Sequence, residues 1–129
     1  MSKLFVYLTA LFFLVYGALF LVFPIEMANW VTGANPDPNS ATIDFRATYG
    51  GAQFAIGFIL IFVLHYKKNV DLALIIVAIT LLSMALGRLV GILIDGQPNT
   101  LMYLYFVAEI VFGLLAIYLY QSVASKSNE

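Results

Sequence analysis

Four blocks of the chain are almost continuously apolar, and short polar stretches separate them. They run from Leu4 to Phe23, Phe45 to Tyr66, Val70 to Ile94 and Leu101 to Gln121. Each provides the roughly 20 residues that a helix rising about 1.5 Å per residue needs to cross a bilayer. A helix on the surface of a soluble core keeps one face polar, whereas these blocks are apolar on nearly every side. The pattern predicts an all-α integral membrane fold, an antiparallel four-transmembrane-helix bundle forming one domain over residues 1–129. The first block follows Lys3, as a secretory signal would. Its apolar core is too long for that, and no small-x-small site precedes Pro24, so a retained signal-anchor helix is expected.

The connections differ in character. Lys67-Lys68-Asn69 is a minimal turn that makes spans two and three antiparallel neighbours. Asp95-Gly96-Gln97-Pro98-Asn99 is a second tight turn, with Asn99 or Thr100 placed to cap span four. In the longer stretch from Pro24 to Thr42, Pro24 suits a first helical position and Gly33 a helix stop. Ile25, Met27, Trp30 and Val31 between them predict a short interfacial helix with Trp30 at headgroup level. Asn35-Pro36-Asp37-Pro38-Asn39 then reads as a turn-rich loop, and residues 122–129 as a polar, frayed tail.

Composition agrees with this reading. Of 129 residues, 63% are hydrophobic and 10% charged, against about 45–50% and about 25% in soluble domains. A net charge of −1 leaves no basic footprint for nucleic acid. The absence of cysteine excludes disulfides, thiolate catalysis and cysteine-based metal sites.

Four spans put both termini on one side, together with Lys3, Lys67, Lys68 and Lys126. Glu26, Asp37, Asp44 and Asp95 fall on the other, where Arg46 is the basic residue near the loops. The positive-inside rule then predicts that both termini are cytoplasmic.

Ionisable residues within a span are costly, about 2.5–3.5 kcal/mol for a central Arg on insertion scales. Arg88 lies roughly 10 Å below the outer surface and Glu109 roughly 12 Å below it, counting residues from the nearest turns. Gln53 in span two and Tyr16 in span one fall at similar depth, with Tyr49 and Arg46 one and two turns above Gln53. Helical spacing groups Arg46, Gly50, Gln53 and Gly57 on one stripe. It likewise groups Thr80, Met84, Arg88, Gly91 and Asp95, then Glu109, Gly113, Ala116 and Tyr120, and Thr9, Phe13, Tyr16 and Phe20. Small residues on these faces, including Gly50, Gly87, Gly91 and Gly113, suit close helix packing. Two readings stand side by side. The layer is a fastener in which Arg88 and Glu109 set helix register, or it is a site in the outer half of the bundle that binds a polar or anionic headgroup. In the second reading Tyr16, Arg46, Tyr49, Gln53, Arg88 and Glu109 line the site, and the arginines hold the anion.

Other features carry less. His65 reads as an interfacial histidine, and Tyr103, Tyr105, Tyr118 and Tyr120 as aromatic belts. Tyr49-Gly50-Gly51-Ala52 lacks the strand and lysine of a phosphate loop. The outer acids have no calcium-loop spacing, and no Ser-His nucleophile pairing is present.

An ordered series of motifs extends over nearly the whole chain: Tyr16-Gly17, Pro24, Arg46-Ala47-Thr48-Tyr49-Gly50-Gly51, Gly87-Arg88-Leu89-Val90-Gly91, Asp95-Gly96-Gln97-Pro98 and Glu109. In these the chain resembles a family of small bacterial four-helix membrane proteins classed only as a domain of unknown function. More distantly it is similar to the DoxX-like group, some of whose members are subunits of quinone-linked complexes. The resemblance implies that the motif residues are those of the polar layer, and it implies no cofactor or activity.

The leading expectation is a binding or accessory protein that takes a lipid-like or quinone-like molecule from the outer leaflet. The alternatives are a small dimeric proton-coupled transporter using Glu109, and a structural subunit of a larger membrane complex using the Gly87/Gly91 face; the partner expected is a membrane complex or a homo-oligomer. An enzyme is the least favoured reading, and membrane lipids are the expected surroundings.

Overall fold

A computed structural model describes residues 1–37 and 39–127, and among these there are helices and no strands. The helices are α1 (Ser2–Val22), α2 (Pro24–Thr32), α3 (Asn39–Phe45), α4 (Ala52–His65), α5 (Val70–Asp95) and α6 (Thr100–Ser127). A π-helical segment, Arg46–Gly51, joins α3 to α4 without a break. Four stretches are long and apolar enough to cross a membrane: Ser2–Val22, Asn39–His65, Val70–Asp95 and Thr100–Ser125. The chain is therefore an all-α integral membrane protein.

The local signals for helix ends act as their chemistry dictates. Pro24 occupies the first turn of α2, and Gly33 ends it in the left-handed region at φ 78°, its N–H donating to the Asn29 carbonyl. Only a residue without a Cβ adopts that conformation at no steric cost. Met27, Ala28 and Val31 form the buried face of α2, while Trp30 is exposed. The Asn69 side chain accepts from the Leu72 N–H at the start of α5, and Asn99 accepts from the Met102 N–H at the start of α6.

Two expected boundaries move. The second span starts at Asn39, six residues before Phe45, so the loop is shorter than its Asn and Pro content suggested. Pro38 of that loop lies outside the described residues. Thr42 holds this start by donating to the Pro36 carbonyl. At the other end, α6 runs on through Ser127 where a frayed tail was expected. Residues 122–127 contain no Gly or Pro to stop the backbone ladder. Residues 128 and 129 lie outside the described set.

The chain divides into two compact units, one comprising residues 1–6 and 63–129 and the other residues 7–62. The first is built on the α5–α6 hairpin. Its core holds Leu74, Val77, Ala78, Leu81 and Ala85 of α5 with Ala116 and Leu119 of α6. Burying apolar groups from lipid gains little, so association rests on close packing of small residues. Gly113 illustrates this, since a Cβ there would stand 2.7 Å from the Leu82 side chain. The second unit packs still closer. A Cβ on Gly17 would come 2.4 Å from the Phe54 backbone nitrogen, and one on Gly50 2.9 Å from Leu21. Backbone therefore lies against backbone where α1 passes the start of α4.

Among the described residues of the α5–α6 unit, no other helix packs on Gly87 or Gly91. Nothing stands within 4 Å of a Cβ placed at Gly87, and at Gly91 only the Asp95 side chain of the same helix does. The buried face of α5 runs through Leu74, Val77, Ala78, Leu81 and Ala85. That face reaches Arg88 from the Leu81/Ala85 side, and not from the expected Thr80/Met84 side.

Candidate functional site

Glu109 is the buried charged side chain among the described residues, 6% exposed. It sits on the stripe of α6 that also buries Gly113 and Ala116, so it faces α5. Seven residues before the end of α5, Arg88 reaches it. Arg88 Nε donates to Glu109 Oε2 at 3.0 Å and Nη2 donates to Oε1 at 2.8 Å. This is the two-pronged arrangement that fixes both groups in one plane, and a lysine does not reproduce it.

Two further residues of α6 also meet Arg88. Nη1 donates to the Met102 sulfur at 3.0 Å, and the guanidinium carbon lies 5.2 Å from the centre of the Tyr105 ring. The arginine is thus held along one edge by a carboxylate, at its tip by a thioether and on a face by an aromatic ring. Sequence reasoning assigned Tyr105 to an aromatic belt and did not single out Met102. The signal was present: Met102, Tyr105 and Glu109 follow i, i+3, i+7 spacing and share a helical face.

The remaining residues of the expected polar layer belong to the other unit and have other immediate neighbours. Arg46 donates through Nη1 to the Leu21 carbonyl near the end of α1. That carbonyl lies in the last turn, where acceptors lack helical partners and a cation is favoured. Tyr16 stacks on Phe12 with ring centres 5.6 Å apart and packs on Phe20 at 5.1 Å. Tyr49 stacks on Phe20 at 5.3 Å and Phe45 at 5.1 Å. The two tyrosines therefore share Phe20 and belong to one aromatic cluster with Phe12 and Phe45. Gln53 is half-buried in the first turn of α4.

Arg46 keeps to the side of Gly50, since both meet Leu21 of α1, and the π-helical segment leads from it into α4. Its wider turn, closed by the Ala52 N–H on the Ala47 carbonyl, shifts the angular register between Arg46 and α4. Gly50 and Gly57 remain buried, while Arg46 and Tyr49 are exposed.

The family model for a domain of unknown function (DUF4345) matches residues 1–120. The chain belongs to the DUF4345 family. The match takes in every residue of the Arg88–Glu109 constellation and of the aromatic cluster. No curated protein and no solved structure matches this DUF4345 chain.

Proposed function

We propose that the protein is a small membrane-embedded binding module, and that the Arg88–Glu109 pair receives the polar head of a lipid-like or quinone-like molecule. The bond from Arg88 Nη1 to the Met102 sulfur carries this reading. A thioether is a weak acceptor, so a carbonyl or phosphate oxygen entering beside Met102 would replace a poor partner with a strong one. Arg88 is also the more open member of the pair, its side chain 20% exposed against 8% for Glu109. Tyr105 would hold the guanidinium plane while that exchange takes place. The Lys3 and Lys67-Lys68 positions support an inner-membrane orientation with cytoplasmic termini, which puts the pair in the outer leaflet.

The test is quantification of quinones and lipids that co-purify in mild detergent. Arg88→Ala is expected to lose the bound species, while Met102→Leu and the surface change Lys3→Ala retain it. Equal retention by Arg88→Ala and Lys3→Ala would overturn the proposal.

A second reading, a subunit docking on a membrane partner, is favoured by the open space at Gly87. Close-packed glycines elsewhere in this chain mark where backbones meet. Extraction in mild detergent, followed by identification of stoichiometric partners, tests it; a chain that elutes alone argues against it.

A further inference from the structure

Arg88 meets a carboxylate, an aromatic ring and a thioether, and the thioether of Met102 is open to covalent change. A hydroperoxide takes two electrons from such a sulfur and leaves a sulfoxide, a polar group that a reductase can reverse. Met102 is the third residue of α6, about 5 Å along the axis from the Asn99 cap, and it is half-buried. Its sulfur accepts from Arg88 Nη1 at 3.0 Å, and the Arg88 side chain is itself partly exposed. A small neutral peroxide in the headgroup region therefore comes within reach of a sulfur that already has a cation beside it.

The other methionines are placed differently. Met1 is fully exposed, and Met27 is only 8% exposed. Met84 is half-buried, but it stands eleven residues before Asp95 at the end of α5. That is about 16 Å into the hydrocarbon, where an added oxygen is costly unless it finds a donor. At Met102 the donor is in place before the oxygen arrives.

We propose that Met102 is a reversible oxidation site, and that its sulfoxide oxygen takes over the hydrogen bond from Arg88 Nη1. In the reaction a sulfur lone pair attacks one oxygen of the peroxide. The S–O bond forms, the O–O bond breaks, and the departing oxygen takes the proton of the transferred one and leaves as water. Sulfur is oxidised by two electrons and the peroxide is reduced by two. Methionine has three rotatable bonds, so the new oxygen turns onto the guanidinium without moving α6. Glu109 keeps the other edge through Nε and Nη2. The consequence rests on the binding role proposed above. A headgroup oxygen readily replaces a thioether, which is a weak acceptor, and competes poorly with a sulfoxide. Oxidation of Met102 thus closes the pair to its ligand, and a methionine sulfoxide reductase reopens it.

The experiment treats the full chain in mild detergent with hydrogen peroxide and maps the sulfoxides by peptide mass spectrometry. Met102 is expected to oxidise well ahead of Met27 and Met84. Quinones and lipids that co-purify with the reduced protein are measured again after oxidation. Oxidised wild type is expected to retain about tenfold less, the ratio set by one hydrogen bond to a charged group, and reductase treatment to restore the loss. Whatever Met102→Leu binds before peroxide it should still bind afterwards. Met102→Gln, which fixes an amide oxygen near the sulfoxide position, should lose the bound species without peroxide. Oxidation no faster at Met102 than at Met27 overturns the proposal, as does unchanged retention by oxidised wild type. Reduced wild type that carries no such molecule defeats the binding role, and the oxidation site is then read from stability. Peroxide should leave the unfolding midpoint of wild type nearly unchanged and lower that of Arg88→Leu with Glu109→Leu, where the sulfoxide has no guanidinium. Equal falls in the two proteins overturn the proposal.

Discussion

Arg88 and Glu109 close a two-bond ion pair between α5 and α6, at 3.0 and 2.8 Å, across 21 positions of sequence. Because Glu109 is almost fully enclosed, the pair is expected to behave unequally when cut. Removing one member of a buried pair leaves an uncompensated charge and costs about 3–5 kcal/mol, whereas replacing both with apolar groups is often neutral. Arg88→Ala should therefore lower the unfolding midpoint in detergent strongly, and Arg88→Met with Glu109→Leu should recover most of the loss. Arg88→Lys should fall between, because the ammonium cannot engage both oxygens. A double variant less stable than either single variant contradicts this account.

The glycines divide into close-packed and open positions, and substitution separates the two. Gly17→Ala forces apart α1 and the Phe54 backbone 2.4 Å from the new Cβ, at a cost of about 1–3 kcal/mol for overpacking. Gly87→Ala meets nothing among the described residues of its unit and gains up to about 1 kcal/mol of helix propensity. Unfolding midpoints of the isolated protein are expected to fall for the first and hold or rise for the second. A marked loss of stability at Gly87→Ala would show that another chain packs there.

Arg46 bonds the Leu21 carbonyl at the end of α1, an interaction of the kind worth about 0.3–1 kcal/mol at exposed helix ends. Arg46→Ala should leave global stability nearly unchanged while speeding amide hydrogen exchange in the last turn of α1 and the first of α2. Unaltered exchange in those turns would remove this role from Arg46.

The protein contains no cysteine, so single cysteines report topology directly. In α5 the Lys67-Lys68 turn and the Asp95-Gly96 end lie at opposite ends of a 26-residue helix. Lys68→Cys and Gln97→Cys are expected to react with a membrane-impermeant thiol reagent from opposite sides of sealed vesicles. Labelling of both from one side contradicts a spanning α5.

Most helix boundaries were legible because the signals that set them are local. Pro24 and Gly33 bracket α2, and Asn99 caps α6, as their backbone chemistry requires. The expected depths of Arg88 and Glu109 also correspond to residues that meet, since a helix converts residue counts into height. What local reading missed has a common origin. The π-helical turn at Arg46–Gly51 is disfavoured in isolation. It lies where α1 presses close, since the Gly50 carbonyl oxygen would stand 2.8 Å from a Cβ on Gly17. Arg46 found a helix end, and Tyr105 found Arg88, because of which neighbours lay beside them.

Apolar length and scarce charge by themselves determined an all-α membrane protein with four spanning stretches. In lipid every backbone group must be satisfied within its own helix, and that requirement is readable from about 20 residues at a time. The choice of partners for each polar group was decided only by tertiary structure. The Arg88 guanidinium could have met any polar group at its depth. It meets Glu109, Met102 and Tyr105 because Gly113 lets α6 lie close to α5, and closeness between helices is a property of two surfaces together.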